Sequence, residues 1–324
     1  MTWRVVFVVL WLTIVSTAAT LIFPLSMNST NRLLYINITV PGFNEGEPFP
    51  VRLDLHQHAV VDARLFDGEQ VMDSETIILT SLDGSHIALN DYHVQFPLDT
   101  EAGGYIGIGP GSGLMYQTGH IEIVYARNMT NRELRLHSTS FPNDVCFPES
   151  LLAIPIIYNH LWHHYVIPLV QFKLIVNGND GARAILANEP LFPQEVAITG
   201  MVSYMRIPGE IGESLADMIT VRGGVGTTRD DLNIPISFLN CGANVIGSLP
   251  DMVIAVNNEF GDIIGEVVQG PEDYLIVDAD TSECTFGFAH GNDSEILSIN
   301  PFTLNGLNTR IDPWLVSFCD PSFV

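Results

Sequence analysis

The sequence predicts a mostly-β secreted protein with room for two lobes. Three observations carry this. Short runs rich in β-branched and aromatic residues alternate with Gly, Pro, Asn and Asp along the whole chain. Stretches with sustained helical periodicity are scarce. The N-terminus has the charged, apolar, small-residue order of a secretory signal peptide. With 324 residues, an apolar fraction of 47% and a charged fraction of 15%, the chain can bury one large core or two moderate ones, and nothing in it reads as disordered.

The elements follow in order. Arg4 precedes the apolar run 5–15, and Ser16, Thr17, Ala18 and Ala19 follow it. That run is half of the ~20 residues a bilayer span requires, so residues 1–19 are expected to be a leader cleaved near Ala18 or Ala19. No later run matches it, because 166–176 is interrupted by Pro168, Gln171 and Lys173. Strands are expected at 34–40, 51–55, 76–80, 121–125, 172–176, 252–256 and 274–277. The best helical candidates are 149–164 and 213–218. There are no charge blocks, low-complexity tracts or fixed-period repeats.

Secretion gives meaning to two further patterns. Sequons stand at Asn28, Asn37, Asn128 and Asn292. Four cysteines, Cys146, Cys241, Cys284 and Cys319, suit two disulfides, and their spacing leaves three connectivities open. The charge balance is 13 Lys+Arg against 37 Asp+Glu, a net of −24. That argues against nucleic acid and anionic membrane surfaces, both of which select basic patches.

Several constellations have residue types that could carry chemistry. His160, His163 and His164 have the i, i+3, i+4 spacing of a metal site if helical, but no Glu accompanies them in an H-E-x-x-H pattern. They read as exposed histidines on a connector. His56 and His58 would share a strand face and read as half-exposed. No metal or cofactor is expected. The Gly-rich run around Gly109 and Gly113 lacks the Lys-Ser/Thr that ends a phosphate loop, and no G-x-S-x-G is present.

A family resemblance rests on ordered motifs. Tyr35-Ile-Asn-Ile-Thr-Val-Pro-Gly42, then Pro48-Phe-Pro-Val-Arg-Leu-Asp54, is similar to the first catalytic hairpin of pepsin-like aspartic proteases, which leads into L-D-T-G-S-S. Gly104-Tyr-Ile-Gly-Ile-Gly-Pro-Gly-Ser-Gly-Leu114 resembles the family's D-G-I-L-G-L-G-x-x-S-x-L segment. Cys241 with Ser248-Leu-Pro-Asp-Met-Val-Ile254 resembles C-x-x-x-x-x-L-P-x-I-x-F. Ile296-Leu-Ser298, Phe302-Thr-Leu304, Asp312 and Leu315-Val-Ser-Phe-Cys319 resemble the closing series. The resemblance spans about residues 33 to 320. It implies a bilobal pepsin-like fold, two β-lobes with a central cleft, here a lobe of 20–150 and a lobe of 151–324 that includes the connector. It also implies a Cys241–Cys284 disulfide, with Cys146 and Cys319 forming the other.

The family's chemistry needs two carboxylates that share one proton, so that one acts as base and the other as acid. Each comes from a D-T/S-G loop. Asp54 fills the first position, but Leu55 lacks the bracing hydroxyl and His56 replaces the glycine. The second loop is expected before Cys241. There Ile219-Thr-Val221-Arg222-Gly223 puts Val221 at the aspartate position, with Arg222 as a shifted alternative. Neither can share a proton. Asp217 lacks the following Thr-Gly, and Asp230-Asp231 stands too far along. The flap segment reads Thr80-Ser81-Leu82-Asp83-Gly84-Ser85, with Ser81 at the aromatic position and Tyr92 on the returning strand. The expectation is a secreted, catalytically inactive homologue that binds a protein, peptide or glycan partner in the interlobe cleft. The alternative is an active aspartic endopeptidase with a divergent second loop.

Overall fold

The computed structural model describes residues 20–27, 33–41, 44–55, 59–62, 76–89, 92–95, 104–109, 112–124, 132–138, 141, 151–156, 165–177, 183–187, 194–198, 205–208, 225–227, 237–239, 246–247, 249–257, 263–277, 284–286, 288–291, 297–299, 308–312 and 315–319. They are mostly β. The first ten strands are Thr20–Met27 (β1), Leu34–Ile38 (β2), Phe49–Asp54 (β3), Ala59–Asp62 (β4), Ile77–Thr80 (β5), His86–Leu89 (β6), Tyr92–Gln95 (β7), Gly104–Gly107 (β8), His120–Val124 (β9) and Arg132–His137 (β10).

Two large sheets organise the chain. The first has 11 strands in the order Leu151–Pro155, Leu315–Cys319, Asn308–Ile311, β9, β10, β1, β2, β3, β8, β4, β7. The second has 8 strands. Its main path runs Ile263–Gln269, Asp251–Asn257, Tyr165–Asn177, Gln194–Ile198, Leu297–Ile299, Met205–Pro208, Phe288–Gly291, and Arg183–Ala187 branches from Tyr165–Asn177. Strands from both sides of position 150 thus share the first sheet. Among the described residues no helix is long and apolar enough to cross a membrane.

Period-two patterning explains the strands. In β2, Leu34, Ile36 and Ile38 are buried while Asn37, between them, is exposed. In β3, Val51 and Leu53 are fully buried and Arg52 is half-buried. Each fully buried Leu of this kind contributes about 1.5–3 kcal/mol. The helix expected at 149–164 is replaced in its first part by the strand Leu151–Pro155, in register with Leu315–Cys319. An apolar run this short fits either state, and a partner strand from the far end of the chain decides for β. The candidate helix at 213–218 lies outside the described residues.

Strand β9 departs from alternation, since Ile121, Glu122, Ile123 and Val124 are all buried, as does Asn308–Ile311 beside it. A buried carboxylate must be paired, and Glu122 is. Arg310 donates Nε–H to its Oε1 at 2.6 Å, His137 Nε2 lies 3.3 Å from its Oε2, and Arg135 Nη1 lies 3.6 Å from the same oxygen. His137 Nδ1 in turn stands 3.1 Å from Thr20 Oγ1. The Arg310 guanidinium lies 5.2 Å above the Phe141 ring, which also takes edge contacts from His120 and His137. Burial is the largest influence on Glu122 and works to raise its pKa. The hydrogen bonds and charges of His137 and Arg310 outweigh it, and the carboxyl sits below its ordinary value. One polar cluster thereby joins the first strand, the middle of the sheet and a C-terminal strand.

Candidate functional site

Asp54 is the last residue of β3 and is fully buried. It runs parallel to β8 in the register Arg52–Tyr105, Leu53–Ile106, Asp54–Gly107. The Asp54 carbonyl accepts the Ile108 N–H at 2.8 Å. Its carboxylate Oδ1 accepts the N–H of the next residue, Leu55, at 2.7 Å. Leu55 is itself fully buried. The carboxylate is therefore fixed by its own turn, where the strand leaves the sheet.

β8 lies between β3 and β4, which are consecutive in sequence. It pairs parallel with the first and antiparallel with the second, through Val60–Tyr105 and Val61–Gly104. β4 then pairs parallel with β7. Gly104 is buried with φ +103°, a conformation that disfavours any residue with a Cβ, so the chain can enter β8 only through glycine. The segment beginning at Gly104, singled out in the sequence, stands beside Asp54 through the Asp54–Gly107 pairing. Its Gly-rich end is structural: Ser112 caps the short helix α1 (Gly113–Thr118), its Oγ accepting the Met115 N–H at 3.2 Å.

Arg52 and Asp54 share one face of β3, opposite Val51 and Leu53, and Tyr105 shares that face as the register partner of Arg52. Burial, and after it the negative charge of Asp54, push the Tyr105 hydroxyl above its usual pKa, while Arg52 pulls the other way. Sequence reasoning passed over both residues. A cation between buried Val51 and Leu53 in an alternating strand is the signal that marks Arg52.

The hairpin of β5 and β6 carries Ser81 in its turn. Ser81 is buried, and its hydroxyl both donates to the Ile22 carbonyl at 2.9 Å and accepts the Ile22 N–H at 3.1 Å. The Leu82 N–H donates to the same carbonyl at 2.8 Å. Gly84, with φ +84°, closes the turn. The hairpin is thus fastened to β1. Tyr92 begins β7, one strand beyond the returning strand β6 where it was expected.

The second-lobe residues Val221 and Arg222 lie outside the described residues, as do His56, His58, His160, His163, His164, Asp217, Asp230 and Asp231. So do Cys146, Cys241, Asn28, Asn128 and Asn292. Cys284 and Cys319 lie on strands, and no disulfide is found among the described residues. Nor does any group of three or more His, Cys, Asp or Glu there stand as a metal site.

The strand order of the second sheet repeats that of the first around Asp54. Gln194–Ile198 pairs parallel with Leu297–Ile299, which pairs antiparallel with Met205–Pro208, which pairs parallel with Phe288–Gly291. These four strands occur along the chain in the same order as β3, β8, β4 and β7 do in theirs: leading strand, second strand, outer strand, inserted strand. The leading strand ends at Asp54 in one unit and at Ile198 in the other. The latter stands in register with Ile299, and Ala197 with Ser298. From Val196 to Gly209 the sequence holds no Asp or Glu.

No protein-family model matches the chain, and no curated protein sequence matches it either. Solved structures do. Basic 7S globulin from soybean aligns at TM-score 0.63 and 11% identity, over 93% of this chain and 96% of that one. Conglutin gamma, a basic 7S globulin from lupine seeds, aligns at 0.63 and 13%, over 94% and 95%. An aspartic proteinase from Irpex lacteus aligns at 0.61 and 11%, over 93% and 97%. The chain has the bilobal, mostly-β pepsin-like fold.

Proposed function

We propose that this chain, built on the pepsin-like fold, is a secreted binding protein that engages a protein, peptide or glycan in its cleft and does not hydrolyse peptide bonds. One observation carries the reading: the strand that corresponds to β3 in the second sheet ends at Ile198, where the first ends at Asp54. In sequence Ile198-Thr199-Gly200 keeps the Thr-Gly of a D-T-G triplet and replaces the aspartate. In this reading Ile198, rather than Val221 or Arg222, is the second-lobe position. A lone carboxylate cannot divide the roles of acid and base, since that division arises from two carboxylates competing for one proton.

Further support is of other kinds. Asp54 is held by the Leu55 N–H, and Ser81 ties the β5–β6 hairpin to β1. Thr20–Met27 sits inside the sheet between β10 and β2. Asn37 is exposed on β2, as a glycan acceptor must be. Secretion, N-glycosylation and the two disulfides belong to the proposal, as does a lobe boundary near residue 150.

The test is hydrolysis of a denatured protein and of a quenched-fluorescent peptide library between pH 3 and 6, by the wild type and by Asp54→Ala. The expected result is no cleavage by either. Cleavage by the wild type that disappears in Asp54→Ala would establish the aspartic endopeptidase instead.

A further inference from the structure

Tyr35, Asn37 and Thr39 stand at every second position of one extended segment, so they share a face. The backbone stays extended to Thr39, which exchanges two hydrogen bonds with Ile78, at 2.9 and 2.8 Å. That face looks outward. Ile36 and Ile38, on the other side, are buried, whereas Asn37 is exposed and Tyr35 and Thr39 are half-buried. Across the ladder Asn37 stands opposite Pro50, which is also exposed. Among the described residues no hydrogen bond or ring contact engages the side chain of Tyr35 or Asn37. Asn is a poor strand former, and packing asks for none between Ile36 and Ile38. The sequon Asn37-Ile38-Thr39 does ask for one.

We propose that Asn37 carries an N-linked glycan whose first N-acetylglucosamine lies against the Tyr35 ring and Pro50, so that sugar and strand form one packed unit. The inference rests on the secreted reading above and goes beyond it by giving that glycan a bound position. Residues two apart on a strand are separated by about 7 Å, and directly opposed residues by about 5 Å. A pyranose on the Asn37 amide nitrogen therefore reaches both neighbours and needs no pocket. One side of the sugar ring carries C–H groups alone. Their slight positive charge suits the negative face of an aromatic ring, and covering Tyr35 and Pro50 removes apolar area from water. The sugar is neutral, so the net charge of −24 does not oppose it.

The experiment uses the full chain made in a secretory eukaryotic host. Mass spectrometry of the wild type is expected to find Asn37 occupied. A variant with Asn28→Gln, Asn128→Gln and Asn292→Gln then isolates this glycan, and an endoglycosidase that cuts between the two core sugars leaves one N-acetylglucosamine. Trimming should keep the melting temperature, whereas adding Asn37→Gln should lower it by about 2 °C. In a Tyr35→Ser background the forms with and without Asn37→Gln should melt together. Ring C–H protons of the remaining sugar should show an upfield ring-current shift that Tyr35→Ser abolishes. Equal melting of the trimmed form and Asn37→Gln, or unshifted sugar protons, overturns this inference and leaves glycosylation standing. A bare Asn37 beside glycan at another sequon also overturns it. Absence of glycan from every sequon overturns the inference together with the N-glycosylation in the proposed function.

Discussion

Arg310 donates to Glu122 at 2.6 Å across 188 residues of sequence, on adjacent strands of one sheet. Both are buried, and the carboxylate is shared with His137 and Arg135. The pair holds the end of the chain to its middle.

Removing one partner should be costly. Glu122→Gln leaves the guanidinium of Arg310 buried without its counter-charge, a change that typically costs about 3–5 kcal/mol. Urea unfolding of the variant should show a midpoint well below that of the wild type. The double variant Glu122→Gln, Arg310→Met should recover part of the loss, because it buries no unmatched charge. A double variant no better than the single one would mean that the pair matters for packing rather than charge.

The same carboxylate sets an acid limit. Its folded pKa lies below the ordinary value of 4.5. A group with a depressed folded pKa contributes stability that is complete above the unfolded value and is lost as pH falls through the folded one. The wild type should therefore lose stability below about pH 4.5 more steeply than Glu122→Gln. Melting temperatures taken from pH 7 down to pH 3 compare the two slopes, and parallel curves would contradict the assignment.

The Ser81 hydroxyl makes two hydrogen bonds to the Ile22 backbone. Ser81→Ala removes the acceptor of the half-buried Ile22 N–H, a loss of about 1 kcal/mol. Amide exchange at Ile22 and along β5 and β6 should accelerate, while β9 and β10 stay protected. Uniform acceleration throughout the sheet would mean that the hairpin has no local stability of its own.

Tyr105 reports on Asp54. Asp54→Asn removes a nearby negative charge, so the phenol should ionise at lower pH than in the wild type. It should still ionise above 10, because burial is the larger cause of its elevation. Arg52→Gln should move it the other way. Titration of ring-labelled tyrosine by NMR reads both, and an unchanged Tyr105 in Asp54→Asn would separate the two residues.

Much of the scaffold was legible because it is local. Alternation in β2 and β3 is written in Leu34 to Ile38 and Val51 to Asp54, and the Gly104 segment is marked by a glycine that the backbone requires. What escaped was non-local. Leu151–Pro155 is an apolar run that only its partner at Leu315–Cys319 makes a strand. Glu122 looks like any solvent-facing residue until Arg310 and His137 are placed beside it. The duplicated strand order had no visible period, because its two copies share pairing geometry rather than residues. The end of Gln194–Ile198 was passed over because its only sequence mark is the dipeptide Thr199-Gly200, which without an aspartate before it is too short to stand out.

The first sheet also has a birth order. Residues 20–137 lay down its centre, yet the strand that seals the outer side of β9 is Asn308–Ile311. On the ribosome that edge stays open until nearly the whole chain has emerged, on the order of ten seconds at ordinary synthesis rates. Throughout that interval Glu122 has His137 and Arg135 but not Arg310, and it lies beside a row of unpaired backbone groups of the kind that recruits other nascent strands. The N-terminal half is therefore dependent on translation being finished, and a truncated message would yield an adhesive fragment rather than a smaller protein.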